Sequence, residues 1–529
     1  MVDVMTGVTT RWSVKGASVM GELDRRRFLR TAVVTVGGVG APVVLEPLRF
    51  AAAAPGTERT RTLTGHIPYG APDWLYMPVE VPPGVNRLSV RYDYDRPAAP
   101  PGFAGNALDI GVFDQRGYGP RRPVGFRGWS GGFRDSFTIS ASDATPGYLP
   151  GPIRPGTWYV ALGPYQVLPQ GLRWTITVTL GFGPNGPAFV PRQAPSRAAG
   201  RGPSWYRGDL HLHTVHSDGR RLPAEVAAGA RAAGLDFIVS TDHNTSSASG
   251  VWGDFAGPDL LVIDGEEVTT RNGHYTAIGL PAGTWIDWRY RAVDDDLFHF
   301  LRDIHRVGGL AVAAHALSPC VACGWKFGYA GMDAIEVWSG PWTADDEGVV
   351  ANWDNLLVAA RRAHRFLPAV GSSDAHSEPN VIGLPQTVVH AADLDRESIL
   401  GGVRAGRCWL AESSTVHLTF TAAGAGRQAG VGQRLEVTDD TEVSVGLVIS
   451  GAPGAAVRLV TDQGQRLLLP LPASGAGTVS WTTTPRNSRY VRAEVRRPQP
   501  TATTPDTMVA LTNPIYLGTR GRHGRQVPR

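Results

Sequence analysis

At 529 residues the chain exceeds what one hydrophobic core organises, so several domains are expected. A hydrophobic share of 42% with 9% aromatics excludes global disorder. The formal charge of +4 falls close to balance once residues 1–54 are set aside, since they carry seven basic and four acidic side chains and leave 44 against 43, with no sustained basic face for a nucleic acid.

Residues 1–54 read as an export signal. Asp24-Arg25-Arg26-Arg27-Phe28-Leu29-Arg30 precedes a modestly apolar run from Thr31 to Leu45 and the small residues Ala51 to Ala54. That order resembles a bacterial twin-arginine signal, which implies the twin-arginine export machinery as partner and an extracytoplasmic, secreted location. Gly37, Gly38, Gly40 and Pro42 interrupt the run, which also falls short of the ~20 apolar residues a span needs, so no stable membrane anchor is expected.

From 60 to 190 short alternating runs broken by Gly and Pro, such as Leu88 to Tyr94 and Trp174 to Leu180, predict a β-sandwich. Residues 191–203, rich in Pro, Ala, Gly and Arg, read as a linker. Between 204 and 412 strands alternate with helices: helices over Leu222 to Ala233, Asp294 to Val307 and Asn352 to His364, strands over Asp236 to Ser240, Leu260 to Asp264, His274 to Leu280, Gly309 to Ala314, Ala334 to Trp338 and Phe366 to Gly371. This rhythm predicts a parallel, barrel-like α/β domain. Alternating segments return from 413 to 517 as a second sandwich, and residues 518–529 form a basic tail read as disordered. Of the three cysteines, Cys320 and Cys323 are open to a disulfide, to metal or to staying reduced, with the compartment favouring the disulfide; Cys408 reads as a buried thiol.

The chemistry starts at Arg207 to Gly219. If Tyr206 to His213 is a strand, Asp209, His211 and His213 share one face while Leu210 and Leu212 take the other. Two imidazoles pointing together are costly to bury unless a metal lies between them, and the turn Ser217-Asp218-Gly219 returns an oxygen donor toward them. Further donors fall at the ends of predicted strands: His243, Glu267, His315, Asp374 and His376. In parallel barrels such ends converge on one face. His299, His305, His364 and His390 fall elsewhere and read as structural. A His/Asp/Glu set without sulfur suits zinc, manganese or iron in a catalytic site, and its size asks for two or three divalent metal ions. Asp209 and Asp242 are expected to orient the imidazoles from behind.

These residues carry a resemblance. Asp-Leu-His-Leu-His-Thr with Ser-Asp-Gly, then Thr-Asp-His-Asn, Gly-Glu-Glu, Gly-His-Tyr, Ala-Ala-His and Ser-Ser-Asp-Ala-His resemble the successive motifs of the polymerase-and-histidinol-phosphatase (PHP) superfamily, over about 204 to 390. The export signal and Glu336-Val337-Trp338-Ser339-Gly340-Pro341-Trp342 are similar to its secreted branch of carbaryl-hydrolase-type metallohydrolases. The resemblance implies a distorted (β/α)7 PHP-type barrel as the central domain of a multidomain chain, flanked by the N- and C-terminal β-sandwich domains that the alternation predicts. It also implies three metals held by His211, His213, Asp218, His243, Glu267, His274, His315, Asp374 and His376. Glu266 competes with Glu267, and Ala316 stands where the family often has Pro after the histidine. Metal-dependent amidohydrolases also begin with HxH, but their carboxylated strand lysine has one counterpart here, Lys326, in a Gly/Trp-rich loop.

The expected reaction is hydrolysis in which a metal-bridging hydroxide attacks phosphorus or carbonyl, with His216, Arg220 or Arg221 assisting. Trp325, Trp338 and Trp342 either wall an apolar pocket or pack in the core. Phosphoester hydrolysis of a small-molecule or envelope-derived substrate ranks first, carboxylic ester or carbamate hydrolysis second, and non-catalytic binding of envelope glycans third.

Overall fold

Alternation of buried and exposed side chains builds most of this protein. Leu75–Val81 alternates without a break, as expected of a strand with one face on a core. The computed structural model describes residues 33–34, 43–44, 47–98, 105–121, 124–320, 322–363, 366–499, 501 and 504–519. The chain divides into two compact units, 1–46 and 47–529. In the first, Val33–Val34 pairs antiparallel with Val43–Val44. The basic run Asp24 to Arg30 of the expected export signal lies outside the described residues, as do His364 and the tail beyond 519. Every element below belongs to the second unit. Among the described residues no helix is long and apolar enough to cross a membrane.

Two antiparallel sheets form the N-terminal region. One orders Leu75–Val81, Gly156–Gln166, Ala107–Phe113 and Phe126–Gly131, with Leu48–Arg49 parallel at its edge. The other orders Glu58–Ile67, Leu172–Phe182, Val85–Tyr94 and Ser136–Ser140. The buried Tyr92 hydroxyl donates across to Leu108 O at 2.7 Å. Residues 191–203 are laid on the central region, with Arg192 N–H donating to Gly250 O and Gly253 N–H to Arg192 O.

Centrally, seven strands run in the order Ala369–Ser372, Ala334–Ser339, Leu310–Ala313, Gly273–Ile278, Leu261–Thr270, Phe237–Ser240 and Ser204–Asp209. Backbone bonds join the two ends of this run: Asp374 N–H donates to His211 O and His213 N–H to Ala375 O. The strand and helix alternation is only partly realised. Leu261–Thr270 and Gly273–Ile278 form an antiparallel hairpin, and a two-residue turn leaves no room for the crossover helix that parallel strands require. Four α-helices accompany these strands, Pro223–Ala232, Leu297–Arg306, Ala344–Ala363 and Arg396–Arg404. The third starts eight residues before the expected Asn352, its first turn carrying Asp345, Asp346 and Glu347, which suit a helix N-terminus.

The expected boundary at 412/413 is bridged by hydrogen bonds. Cys408–Ala411 pairs with Thr507–Thr512, so the central sheet continues through Tyr490–Arg497, Ala456–Thr461 and Gly464–Pro470. A separate four-stranded sheet of Arg427–Gly430, His417–Gly424, Val443–Ser450 and Gly477–Thr483 completes the C-terminal region. One hydrophobic cluster draws on all three regions, with Phe113 and Trp129, Trp288 and Trp353, Tyr490 and Leu511 among its members. The architecture is therefore multidomain and sheet-rich, its regions sharing both core and hydrogen bonds.

Candidate metal centre

The strand Ser204–Asp209 delivers the first donors. Beyond its end Leu210 and Leu212 are buried in two different cores, which turns His211 and His213 to the opposite side. The next turn brings Asp218 back, and Gly219 makes it possible: a Cβ there would meet the His213 carbonyl carbon at 2.6 Å. His243 follows Phe237–Ser240, and its backbone bridges to Glu267. Glu267 lies within its strand, not at an end, just after the point where Leu261–Thr270 changes from parallel to antiparallel neighbours. His274 faces Thr269 across that hairpin. His315 and Asp374 follow their strands with φ of +25° and +48°, conformations that cost on the order of 1–3 kcal/mol and cluster at functional sites.

All nine residues converge as three overlapping donor sets: His213, Asp218, His243 and His376; His211, His213, Glu267 and Asp374; Glu267, His274 and His315. His213 and Glu267 are each shared by two sets. Glu267 Oε1 lies 2.9 Å from His274 Nδ1 and 3.1 Å from His315 Nε2, while Oε2 lies 2.8 Å from His243 Nδ1 and 3.2 Å from His211 Nε2. Asp374 Oδ1 stands 3.0 Å from His213 Nε2, and Asp218 Oδ2 stands 3.1 Å from His376 Nε2. Burial opposes ionisation of Asp218, Glu267 and Asp374, yet the imidazoles around them win and hold all three carboxyls below their ordinary range.

The donors fit divalent cations on the structure's own terms. Among the described residues, His274 Nε2 and His315 Nδ1 are buried without a hydrogen-bond partner, and His211 Nε2, Asp218 Oδ1 and Glu267 Oε2 make no well-aligned hydrogen bond although other donors of the set stand close to them. Buried polar atoms are rarely left so, and a bound cation accounts for several of them at once.

The supporting carboxylates act mainly through backbone and hydroxyl groups. Asp209 touches no imidazole; its oxygens accept from the backbone N–H groups of Ser373, His211 and Gly383, fixing the loop that carries Asp374. Asp242 holds not His243 but the 214–217 turn, accepting from Thr214 N–H at 2.8 Å and the Ser217 hydroxyl at 2.7 Å, and Ser217 Oγ lies 3.4 Å from His213 Nδ1. Glu336, not singled out from sequence as a site residue, lies 3.2 Å from His211 Nδ1 through one oxygen and accepts the His315 N–H at 2.9 Å through the other. Its signal was position, on a strand beside those that supply donors. Glu266 turns away, as strand alternation demands, and accepts from Ile286 N–H.

A cavity of about 800 Å³ opens over the donors. His216, Arg220 and Arg221 are not among its lining: the His216 ring meets Ser247 at 2.8 Å and Arg221 pairs with Glu378 at 2.7 Å. Trp325, Trp338 and Trp342 pack with the core instead, Trp338 1% exposed. The aromatic walls are Trp74 and Trp129 of the N-terminal region with Trp288. Trp129 and Trp288 lie 4.7 Å apart between centroids. Lys326 is not among the residues lining the cavity over the donors, so it is not placed as the bridging group of a carboxylated-lysine centre. Cys320 and Cys323 are joined at the cavity edge, and Cys408 is a buried free thiol.

No family model matches the chain, and no curated protein matches it. Among solved structures, it is similar to a two-domain protein from Bacteroides vulgatus containing a predicted PHP-like metal-dependent phosphoesterase, with 16% identity over 61% of this chain and 98% of that one and a TM-score of 0.33. It is also similar to the structure of an amidohydrolase from Chromobacterium violaceum, described with bound sulfate and no metal, at 21% identity over 33% of this chain and 89% of that one, with a TM-score of 0.24. A third is a protein from Bifidobacterium adolescentis whose description suggests a metal-dependent phosphoesterase, at 18% identity, 36% and 92% coverage and a TM-score of 0.24. With all three scores below 0.5, the chemistry of this centre rests on its own nine side chains.

Proposed function

We propose that this protein is a metal-dependent hydrolase of the PHP type, built on a distorted barrel of the seven central strands, and that it favours phosphoric esters. One observation carries the reading: nine side chains from segments 211–218, 243, 267–274, 315 and 374–376 meet as three donor sets joined by shared His213 and Glu267. Such sharing suits two or three divalent ions, zinc, manganese or iron, held side by side. When bound, those ions supply Lewis-acid polarisation of the substrate and lower the pKa of water toward ~7.

The residues set the rest of the chemistry. Six imidazoles bring no charge as neutral ligands and three carboxylates bring one each, so two or three divalent ions leave the centre net positive, which complements a phosphoryl group. Glu336 accepts from the Nδ1 side of His211 and leaves Nε2 directed at the donor set. Asp242, through Ser217, does the same for His213. Trp129, Trp288 and Phe133 give the cavity an apolar lining.

Export through the twin-arginine machinery belongs to the same proposal, supported by the Arg25-Arg26-Arg27-Phe28-Leu29 run and by the Cys320–Cys323 disulfide, a bond that persists in oxidising compartments. The test is metal analysis of the mature protein with assays against aryl phosphomonoesters, phosphodiesters, carboxyl esters and carbamates, beside a His211→Ala/His213→Ala variant. Metal and phosphoester turnover both lost in the variant support the reading. Turnover of carboxyl esters or carbamates alone would move the substrate class, and a wild-type protein without metal would overturn the proposal.

A further inference from the structure

Among the described residues, Arg271 is the one arginine or lysine lining the cavity. It follows the strand Leu261–Thr270 on the same side as Glu267 and Thr269, which also line the cavity, so the guanidinium shares a wall with the donor cluster. Four residues of extended chain separate Arg271 from Glu267, roughly 13 Å. Its Nη2 donates to the Asp73 carbonyl at 3.2 Å and its Nη1 reaches Asp73 Oδ1 at a long 3.4 Å, while its Nε is buried with no hydrogen-bond partner among the described residues. Trp74 and Tyr165 present their ring faces to the guanidinium at 5.2 and 5.5 Å. The guanidinium is thus held by its ion pair with Asp73 and by aromatic contacts, while Nε and part of the donor capacity of the two Nη groups stay unspent.

The neighbours restrict what it recognises. Asp109, within electrostatic reach of Arg271, and Asp345 and Asp346 also line this cavity, so among its lining residues outside the donor cluster Arg271 is the one positive charge an entering anion meets. A fork of N–H donors matches a planar carboxylate. Trp74, Trp129, Trp288 and Phe133 line the same cavity as Arg271 and the donors, which suits a flat apolar body. We propose that Arg271, framed by Trp74 and Tyr165, is a subsite for a carboxylate carried on an aromatic substrate at the end remote from the ester bond that is cleaved. This rests on the hydrolase reading of the metal centre and adds the substrate class.

The experiment compares 6-carboxy-2-naphthyl phosphate with 6-carbamoyl-2-naphthyl phosphate, and the matching acetates, in wild type, Arg271→Met and Arg271→Lys. Binding of 2-naphthoate and 2-naphthamide is followed in parallel by quenching of tryptophan fluorescence, which needs no turnover. In wild type the carboxylate is expected to lower KM at least tenfold with kcat little changed, and naphthoate to bind at least tenfold tighter than naphthamide. Arg271→Met removes both preferences and Arg271→Lys restores part of them. A purely structural clamp on Asp73 would leave wild type with equal KM values for the two esters, and that result overturns the subsite, as does a preference that persists in Arg271→Met. Naphthoate selectivity that depends on Arg271 without hydrolysis of any ester would instead sink the hydrolase reading and keep the subsite. If both variants fail to fold, the wild-type comparison alone decides.

Discussion

Glu336 Oε1 lies 3.2 Å from His211 Nδ1, and this contact decides which ring nitrogen of His211 is free. A carboxylate on Nδ1 holds the proton there and leaves the Nε2 lone pair for a cation. Because the other oxygen of Glu336 also receives the His315 N–H, one side chain steadies two donors. Glu336→Gln keeps the shape and removes the charge. It is expected to weaken metal binding by about 10- to 100-fold, with the circular dichroism spectrum unchanged; calorimetric titration with Zn²⁺ or Mn²⁺ measures it, and wild-type affinity in the variant would deny Glu336 this role.

Much of the centre was readable because ligands are short-range facts. HxH on an extended segment, Ser-Asp-Gly in a turn and Asp-x-His after a strand each fix a local direction, and all nine candidates meet. What could not be read depends on distant pairing. Trp74 and Trp129 reach the cavity from far upstream of His211, through sheets whose packing no local pattern encodes. Glu58–Ile67 escaped notice because it is an outer strand with most side chains exposed and no apolar alternation. Asp242 directly precedes His243, and extended backbone points such neighbours apart; Asp209 is on the histidine side, yet its oxygens are taken by the backbone N–H groups of Ser373, His211 and Gly383. The continuation of the central sheet past 412 was hidden for the same reason, since Cys408–Ala411 finds its partner near the other end of the C-terminal region.

Gly219 is tested by a single methyl. A Cβ at this position would stand 2.6 Å from the His213 carbonyl carbon and 2.7 Å from Thr214 N, backbone atoms that cannot swing aside. Gly219→Ala is expected to cost roughly 1–3 kcal/mol and to displace Asp218 from His213, His243 and His376. Thermal unfolding reads the first effect and metal content the second. A variant with unchanged melting temperature and full metal content would show that the turn absorbs the methyl.

Oxidation state gives a prediction free of the metal centre. Cys320 and Cys323 are paired and Cys408 is fully buried, with burial pushing its thiol up to about 12. Titration with a thiol reagent is expected to find no reactive thiol in the native protein, one after denaturation, and three after denaturation with reductant. Three thiols without reductant would mean that the pair is open in solution.

Glu494 sits between Arg492 and Arg496, at 2.5 and 2.7 Å, with all three side chains buried. Arg492 also pairs with Asp354 at 3.0 Å and Arg496 with Glu347 at 2.5 Å, both on the helix Ala344–Ala363, so the network ties the C-terminal strand Tyr490–Arg497 to the central region. Burial disfavours the Glu494 anion, but Arg492 and then Arg496 outweigh it and hold its carboxyl at about 2. A depressed folded-state value means that the stabilisation is fully present above the ordinary carboxyl range and is lost as pH falls from there through about 2. Glu494→Gln leaves two buried guanidinium groups without their shared anion and is expected to destabilise by about 3–5 kcal/mol near neutral pH. Denaturant unfolding of wild type and variant from pH 7 down to pH 2 checks this: the two curves converge as wild-type Glu494 takes up its proton. A gap that stays constant down to pH 2 would mean that the loss comes from packing and not from charge.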